Sequence, residues 1–191
     1  MDRSTLAQLQ EQRLRALLHE ILPHNDFYAR KFADTGLDPK DVATLADLTR
    51  LPFTTKTELL DDQTSHPPYG TALTYPLSRY SRFHQTSGTS GKPLRWLDTP
   101  ASWNWLLDGW EIMYRIAGLQ SGDRLFFPFS FGPFLGFWTA FEAASRLGYL
   151  CLPGGGMSST ARLRFLIENG ATVVLCTPTY ALHLAEVAER E

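Results

Sequence analysis

From residue 124 onward the chain alternates short apolar runs with amphipathic ones, and no other feature restricts its fold as much. Arg124–Phe129, Tyr149–Leu152 and Thr172–Cys176 read as strands. Phe134–Leu147 and Thr160–Asn169 read as helices closed by Gly148 and Gly170, and Thr177-Pro178 opens another. Strands that are apolar throughout need cover on both faces, so the pattern predicts an α/β fold: a parallel sheet with helices on its faces. Each strand-to-helix turn is rich in glycine or proline, as expected where ligands gather at strand carboxyl ends.

The first 75 residues follow a helical rhythm instead. Leu6, Leu9, Leu14, Leu17, Leu18 and Ile21 fall on one helical face that Pro23 ends. A shorter patch, Phe27 to Phe32, stops near Gly36. Thr44 opens another short helix, and Thr55 with Glu58 makes a capping box for a third. Asp61 to Gly70, with Pro67-Pro68, reads as a loop. The organisation expected is a small helical subdomain over residues 1–75 and an α/β domain over 76–191. Early in the second part, Arg79–Gln85 and Leu94–Asp98 read as strands. Thr99 with Pro100 starts a helix that runs to Gly118.

Composition bounds the function classes. With 191 residues, 43% of them hydrophobic and 20% charged, the chain can build a substantial core. A net charge of −2 offers no footprint for nucleic acid or an anionic membrane, so neither partner is expected. Cys151 and Cys176 sit in apolar runs and read as buried free thiols. His19, His24, His66 and His183 are scattered without metal-ligand spacing, so no protein-held metal is expected. No apolar signal core or membrane-length stretch occurs, which makes the cytoplasm the expected compartment. The last helical pattern still runs at Arg190-Glu191, as it would in a fragment or in a short terminal helix ending in solvated charges.

Between the two strands at 79–85 and 94–98 lies Gln85-Thr86-Ser87-Gly88-Thr89-Ser90-Gly91-Lys92-Pro93. Gly88 and Gly91 permit positive φ, the hydroxyls supply donors, and Lys92 adds a mobile positive charge. Such a nest suits a polyphosphate, while a flexible solvent turn of the same composition is the competing reading. It is not a Walker A loop: the gap before Gly-Lys is too short, and Pro93 stands where Ser or Thr should hold magnesium. His84, just before it, reads as a neutral structural histidine or as a polar wall to the site. Trp103, Trp105 and Trp110, on one helix, read as packing or a subunit contact.

Further segments fall in a telling order: Asp26-Phe27-Tyr28 with Lys31-Phe32, Leu51-Pro52-Phe53-Thr54-Thr55-Lys56, the run from His84 to Pro93, Gly122-Asp123, Gly154-Gly155, and Cys176-Thr177-Pro178-Thr179-Tyr180-Ala181. In that order they resemble phenylacetate–CoA ligase and its relatives in the adenylate-forming superfamily, across nearly the whole chain. The resemblance implies the N-terminal portion of an ATP-dependent aryl-acid–CoA ligase. Such an enzyme forms an acyl-adenylate with release of pyrophosphate and then thioesterifies CoA. It implies ATP, Mg²⁺ and CoA as cofactors and a small-molecule carboxylic acid, aromatic in type, as substrate. Thr86, Ser87, Gly88, Thr89, Ser90, Gly91 and Lys92 would contact the phosphates. Phe131, Gly132 and Phe134 would wall the acid, although aromatics at such a turn also serve as core. Gly154 to Ser159, with Ser159 as N-cap, reads as a structural turn.

The chain departs from the family in places. The lysine precedes the proline, phenylalanines stand where relatives often carry tyrosines, and Gly156-Met157 replaces a polar turn. The family's adenine and ribose motifs, and its catalytic lysine, have no counterpart within the 191 residues. Two rival readings stay open. One is an adenylyltransferase with a non-CoA acceptor. The other is an incomplete, non-catalytic module that binds or dimerises through its N-terminal helix and tryptophans, which makes a homodimer a reading to test.

Overall fold

The computed structural model describes residues 2–88 and 91–190. The chain divides into two compact units, Met1–Thr99 and Pro100–Glu191.

In the first unit, α1 (Arg3–Ile21) is capped by Asp2, whose carboxylate accepts from the Thr5 N–H at 2.8 Å. α2 (Asp26–Thr35) follows, capped by Asn25 and ended by Gly36 at φ +66°. A 3₁₀ segment, Leu45–Arg50, occupies the place of the helix expected after Thr44, and Thr44 with Asp47 forms its capping box. α3 (Lys56–Ser65) starts at the Thr55–Glu58 box. Leu18, Phe32 and Val42 are the buried centre, with Leu14, Ile21, Leu22, Leu37 and Leu51 around them. The loop expected over 61–70 is partly helix, because α3 continues to Ser65. The buried Asp62 side chain, 6% exposed, holds the chain that turns back beyond it. It accepts from Thr71 N and Thr71 Oγ1, both at 2.6 Å, and from Arg30 at 3.2 Å.

β1 (Arg82–Gln85) and β2 (Arg95–Asp98) pair antiparallel, Gln85 opposite Arg95, so the flanking strands form a hairpin. Gln63 of α3 ties this hairpin down, donating to Arg95 O at 2.7 Å and accepting from Arg95 N at 3.0 Å. The compact units therefore divide after the hairpin, whereas the sequence pattern changes near residue 75.

The second unit comprises α4 (Pro100–Ile116), β3 (Arg124–Phe127), α5 (Leu135–Arg146), β4 (Leu150–Pro153), α6 (Ser159–Glu168), β5 (Val173–Val174) and α7 (Pro178–Ala188). Its strands are parallel in the order β4-β3-β5. The last strand is shorter than the run Thr172–Cys176, and α6 is capped by Ser158, one residue before the residue the sequence suggested. Leu125, Phe126 and Phe127 of β3 are each 0% exposed. Successive side chains point to opposite faces. Leu125 and Phe127 enter a core with Trp103, Leu107 and Tyr114 of α4 and Ala140, Ala143 and Ala144 of α5. Phe126 meets Phe165 of α6 at 5.8 Å between ring centroids. Arg146 of α5 clamps α4 through Asp108 and Glu111, both at 2.6 Å.

Gly70 tests the first unit. Its φ is +76°, and a Cβ there would stand 2.3 Å from Asp62 Oδ2, which is already committed to Thr71. Gly70→Ala should destabilise the fold by about 1–3 kcal/mol, read as a lower urea midpoint. Glu58 supplies a pH test. Hydrogen bonds from Lys31 first, then from Thr55, hold its carboxyl at about 2, against an ordinary value of 4.5. Its capping contribution is complete above about 4.5 and is lost as pH falls toward about 2. An NMR titration should find its midpoint near 2, and Lys31→Ala should move that midpoint up.

Candidate functional site

The β4-β3-β5 order fixes where a site can form. The crossover from β3 through α5 leads to one edge of the sheet, and the crossover from β4 through α6 returns to the other edge on the opposite face. The loops leaving the neighbouring carboxyl ends of β3 and β5 therefore part toward opposite faces. Such a switch point opens a crevice between them. A cavity of about 700 Å³ lies there. Pro128, Phe129 and Ser130 line it from the loop after β3, and Leu175, Cys176 and Thr177 from the loop after β5. α5 adds Gly136, Phe137 and Ala140, while Trp110, Arg162 and Tyr180 come from α4, α6 and α7.

Two close approaches shape this crevice. A Cβ on Gly154 would stand 2.7 Å from the Phe126 ring and 3.2 Å from Pro128 Cα, and one on Gly155 would stand 3.2 Å from Phe129 O. The Gly154-Gly155 turn is therefore glycine because β3 and its following loop pass directly against it. Phe129 then stacks on Phe137 at 4.1 Å and 20°.

Phe131 turns inward, 4.7 Å from Trp138 and edge-on to Phe141 at 5.2 Å. Gly132, at φ +49°, passes its carbonyl to Trp138 Nε1 at 2.8 Å. Phe134 stands at the mouth of the turn, 38% exposed, against Phe137 at 5.9 Å. The rings on the cavity wall itself are Phe129 and Phe137 of the same segment, with Trp110 and Tyr180. Sequence reasoning named Phe131 and Phe134 as the pocket rings, read Trp110 as packing or a subunit contact, and gave Tyr180 only as part of a family-like segment. The signal available was the glycine- and proline-rich turn after each strand, which marks the end of the sheet but not which ring points into the crevice.

Among the described residues, Arg162 is the one cation on the cavity wall. Its Nε donates to Gly154 O at 2.8 Å and its Nη1 to the Tyr180 hydroxyl at 2.6 Å, with the guanidinium over the Tyr180 ring. The Ser159 hydroxyl lies 3.2 Å from both Tyr180 Oη and His183 Nε2, bracing that tyrosine. Burial pushes the Cys176 thiol above its ordinary range, which keeps it protonated at neutral pH. Cys151 is likewise free, half-buried and shifted up by burial.

The glycine loop belongs to the first unit and extends the hairpin. Thr86 N donates to Leu94 O and Leu94 N to Thr86 Oγ1, both at 3.0 Å, closing its neck. Gly88 (φ +69°) and Gly91 (φ +136°) take the positive φ expected of them, and Gly91 N donates to Gly88 O at 2.9 Å. A Cβ on Gly88 would stand 3.0 Å from Gly91 O. Ser87 and Lys92 are exposed; Thr89 and Ser90 lie outside the described residues. His84 is buried on β1, its Nε2 3.6 Å from Asp98 Oδ2 on β2. Among the described residues no three His, Cys, Asp or Glu side chains gather to hold a metal, and no helix is long and apolar enough to cross a membrane.

Gly136 offers a direct test of the cavity, since a Cβ there meets nothing within 4 Å. Gly136→Leu should leave the thermal midpoint no lower while weakening binding of the fluorescent probe anilinonaphthalene sulfonate at least tenfold. Unchanged probe binding would place that ligand elsewhere.

No family model matches the chain. It is 32% identical over 186 residues to the phenylacetate-coenzyme A ligase of Pseudomonas putida, and equally to that of Thermus thermophilus. Each alignment takes in 97% of this chain and 41% of the relative. Among solved structures, 2-hydroxyisobutyryl-CoA ligase in complex with 2-HIB-AMP and CoA matches 100% of this chain and 41% of its own. The TM-score is 0.93 and the identity 30%. The open conformation of that ligase gives a TM-score of 0.92 at 28% identity. The chain thus spans about two fifths of the length of the relatives it matches. By sequence along that stretch and by fold, it is similar to the N-terminal part of phenylacetate–CoA ligase-like enzymes.

Proposed function

We propose that the chain is the N-terminal portion of an ATP-dependent aryl-acid–CoA ligase. The observation that carries this reading is the glycine-hydroxyl loop, set at the tip of a hairpin in a chain related over 97% of its length to phenylacetate-coenzyme A ligases. Attack of a carboxylate on the α-phosphorus of ATP expels pyrophosphate, so negative charge grows on the leaving oxygens. Donors fixed at that place stabilise the transition state more than the ground state. In this reading Thr86, Ser87, Gly88, Thr89, Ser90, Gly91 and Lys92 hold the β- and γ-phosphates, with Gly88 and Gly91 turning the backbone. The described residues form no carboxylate cage, so Mg²⁺ would be held by the triphosphate and water, the usual habit of that ion. The acid would occupy the cavity at the β3–β5 switch point, its ring against Phe129 and Phe137, with Phe131, Gly132 and Phe134 shaping the turn that carries them. CoA would then take the acyl group from the adenylate.

The test is Mg·ATP and pyrophosphate binding by calorimetry, followed by acid-dependent ATP–pyrophosphate exchange with arylacetic and benzoic acids. Binding, and exchange with one class of acid, is the expected result. Gly88→Val should reduce exchange by about 10²-fold, the typical cost of a displaced transition-state donor. AMP release that waits for CoA separates a CoA ligase from an adenylyltransferase with another acceptor. Failure of both Mg·ATP and pyrophosphate to bind overturns the reading.

A further inference from the structure

The cavity wall is mostly apolar; Ser130, Thr177 and Tyr180 add hydroxyls, and Arg162 adds a charge. That side chain is half-buried, and two of the five guanidinium N–H donors are engaged, one by Gly154 O and one by the Tyr180 hydroxyl. Both acceptors are neutral. Among the described residues no carboxylate pairs with it, whereas Arg146, on the outside of α5, takes two. A half-buried guanidinium held in place at the edge of a ring-lined cavity is suited to pairing with an anion. The bonds to Gly154 and Tyr180 fix the guanidinium plane, which suits bidentate recognition of a carboxylate.

We propose that the acid taken by this cavity carries a second anionic group, and that Arg162 selects it. The inference rests on the reading of the cavity as the acid site. Its chemistry follows from what happens to the reacting carboxylate. On adenylation one of its oxygens bonds to phosphorus, pyrophosphate leaves, and the carboxylate becomes a mixed anhydride without its own charge. A guanidinium paired to that group would lose its partner in mid-reaction, and breaking a half-buried pair is costly. A distal carboxylate takes no part in bond making and keeps Arg162 neutralised through both half-reactions. The ligand class is therefore a dicarboxylic acid with an apolar ring between its ends, the ring lying against the Phe129–Phe137 stack and Trp110.

Trp110 on the wall supplies the readout. Quenching of tryptophan fluorescence would be titrated with 1,4-phenylenediacetate and with phenylacetate, in the absence of ATP. The dianion should bind at least tenfold more tightly than the monoanion. Arg162→Gln should abolish that preference, while Arg162→Lys should keep part of it. Tyr180→Phe removes a contact of Arg162 without removing the charge and should retain the preference, which guards against a variant that fails to fold. Equal binding of the two acids, or a preference that survives Arg162→Gln, would overturn the inference and leave the ligase reading standing. Binding of neither acid would overturn the inference together with the assignment of the cavity, while the nucleotide measurements would still judge the glycine loop separately.

Discussion

Three consecutive side chains of β3, Leu125, Phe126 and Phe127, have no exposed surface, and the second unit is organised by that fact. A strand cannot bury adjacent residues unless both of its faces are covered. β3 must therefore lie in the middle of its sheet, with α4 and α5 over one face and α6 over the other. The crossover through α5 runs from β3 to β4 over one face, and the crossover through α6 runs from β4 back past β3 to β5 over the other. The crevice at the carboxyl ends of β3 and β5 follows directly from this. The cavity is thus a consequence of how the core is buried, and its position owes nothing to the residues that line it.

The chemistry of the two candidate sites differs because their backbones are constrained differently. In the hairpin loop, positive φ at Gly88 and Gly91 and the closed neck at Thr86 and Leu94 set where donors point. In the crevice, glycine serves contact: Gly154 and Gly155 let the turn after β4 press against Phe126, Pro128 and the Phe129 carbonyl. Substituting the first kind of glycine disturbs the turn of the loop itself, whereas substituting the second disturbs the packing of the turn against β3 and the loop that follows it.

Much of the architecture was legible in the sequence. Helix starts were announced by Thr55 and Thr177, whose side chains cap from within three residues, and such local hydrogen bonds are written in local sequence. The parallel strands were legible because their runs are apolar throughout. Less legible was the end of α3, which outlasts its helical pattern because Asp62 is held by Arg30 and Thr71 from distant positions. The hairpin's place in the first unit was hidden for the same reason, since Gln63 reaches Arg95 across 32 positions. Among the aromatics of 129–138, composition announced a ring-rich turn. Which rings line the cavity depended on the Phe129–Phe137 stack and on the Trp138 hydrogen bond to Gly132.

What the sequence determined by itself, then, is what short-range physics can fix: the caps, the apolar periods, the glycines that need positive φ, and a run of loop residues that resembles the adenylate-forming enzymes. Tertiary structure alone decided the strand order, the crevice that the order creates, and the placing of Arg162 on its wall between Gly154 and Tyr180. Those depend on residues far apart in the chain meeting after collapse. An arginine on a helix carries no local mark of whether it will face solvent, a carboxylate or an apolar cavity.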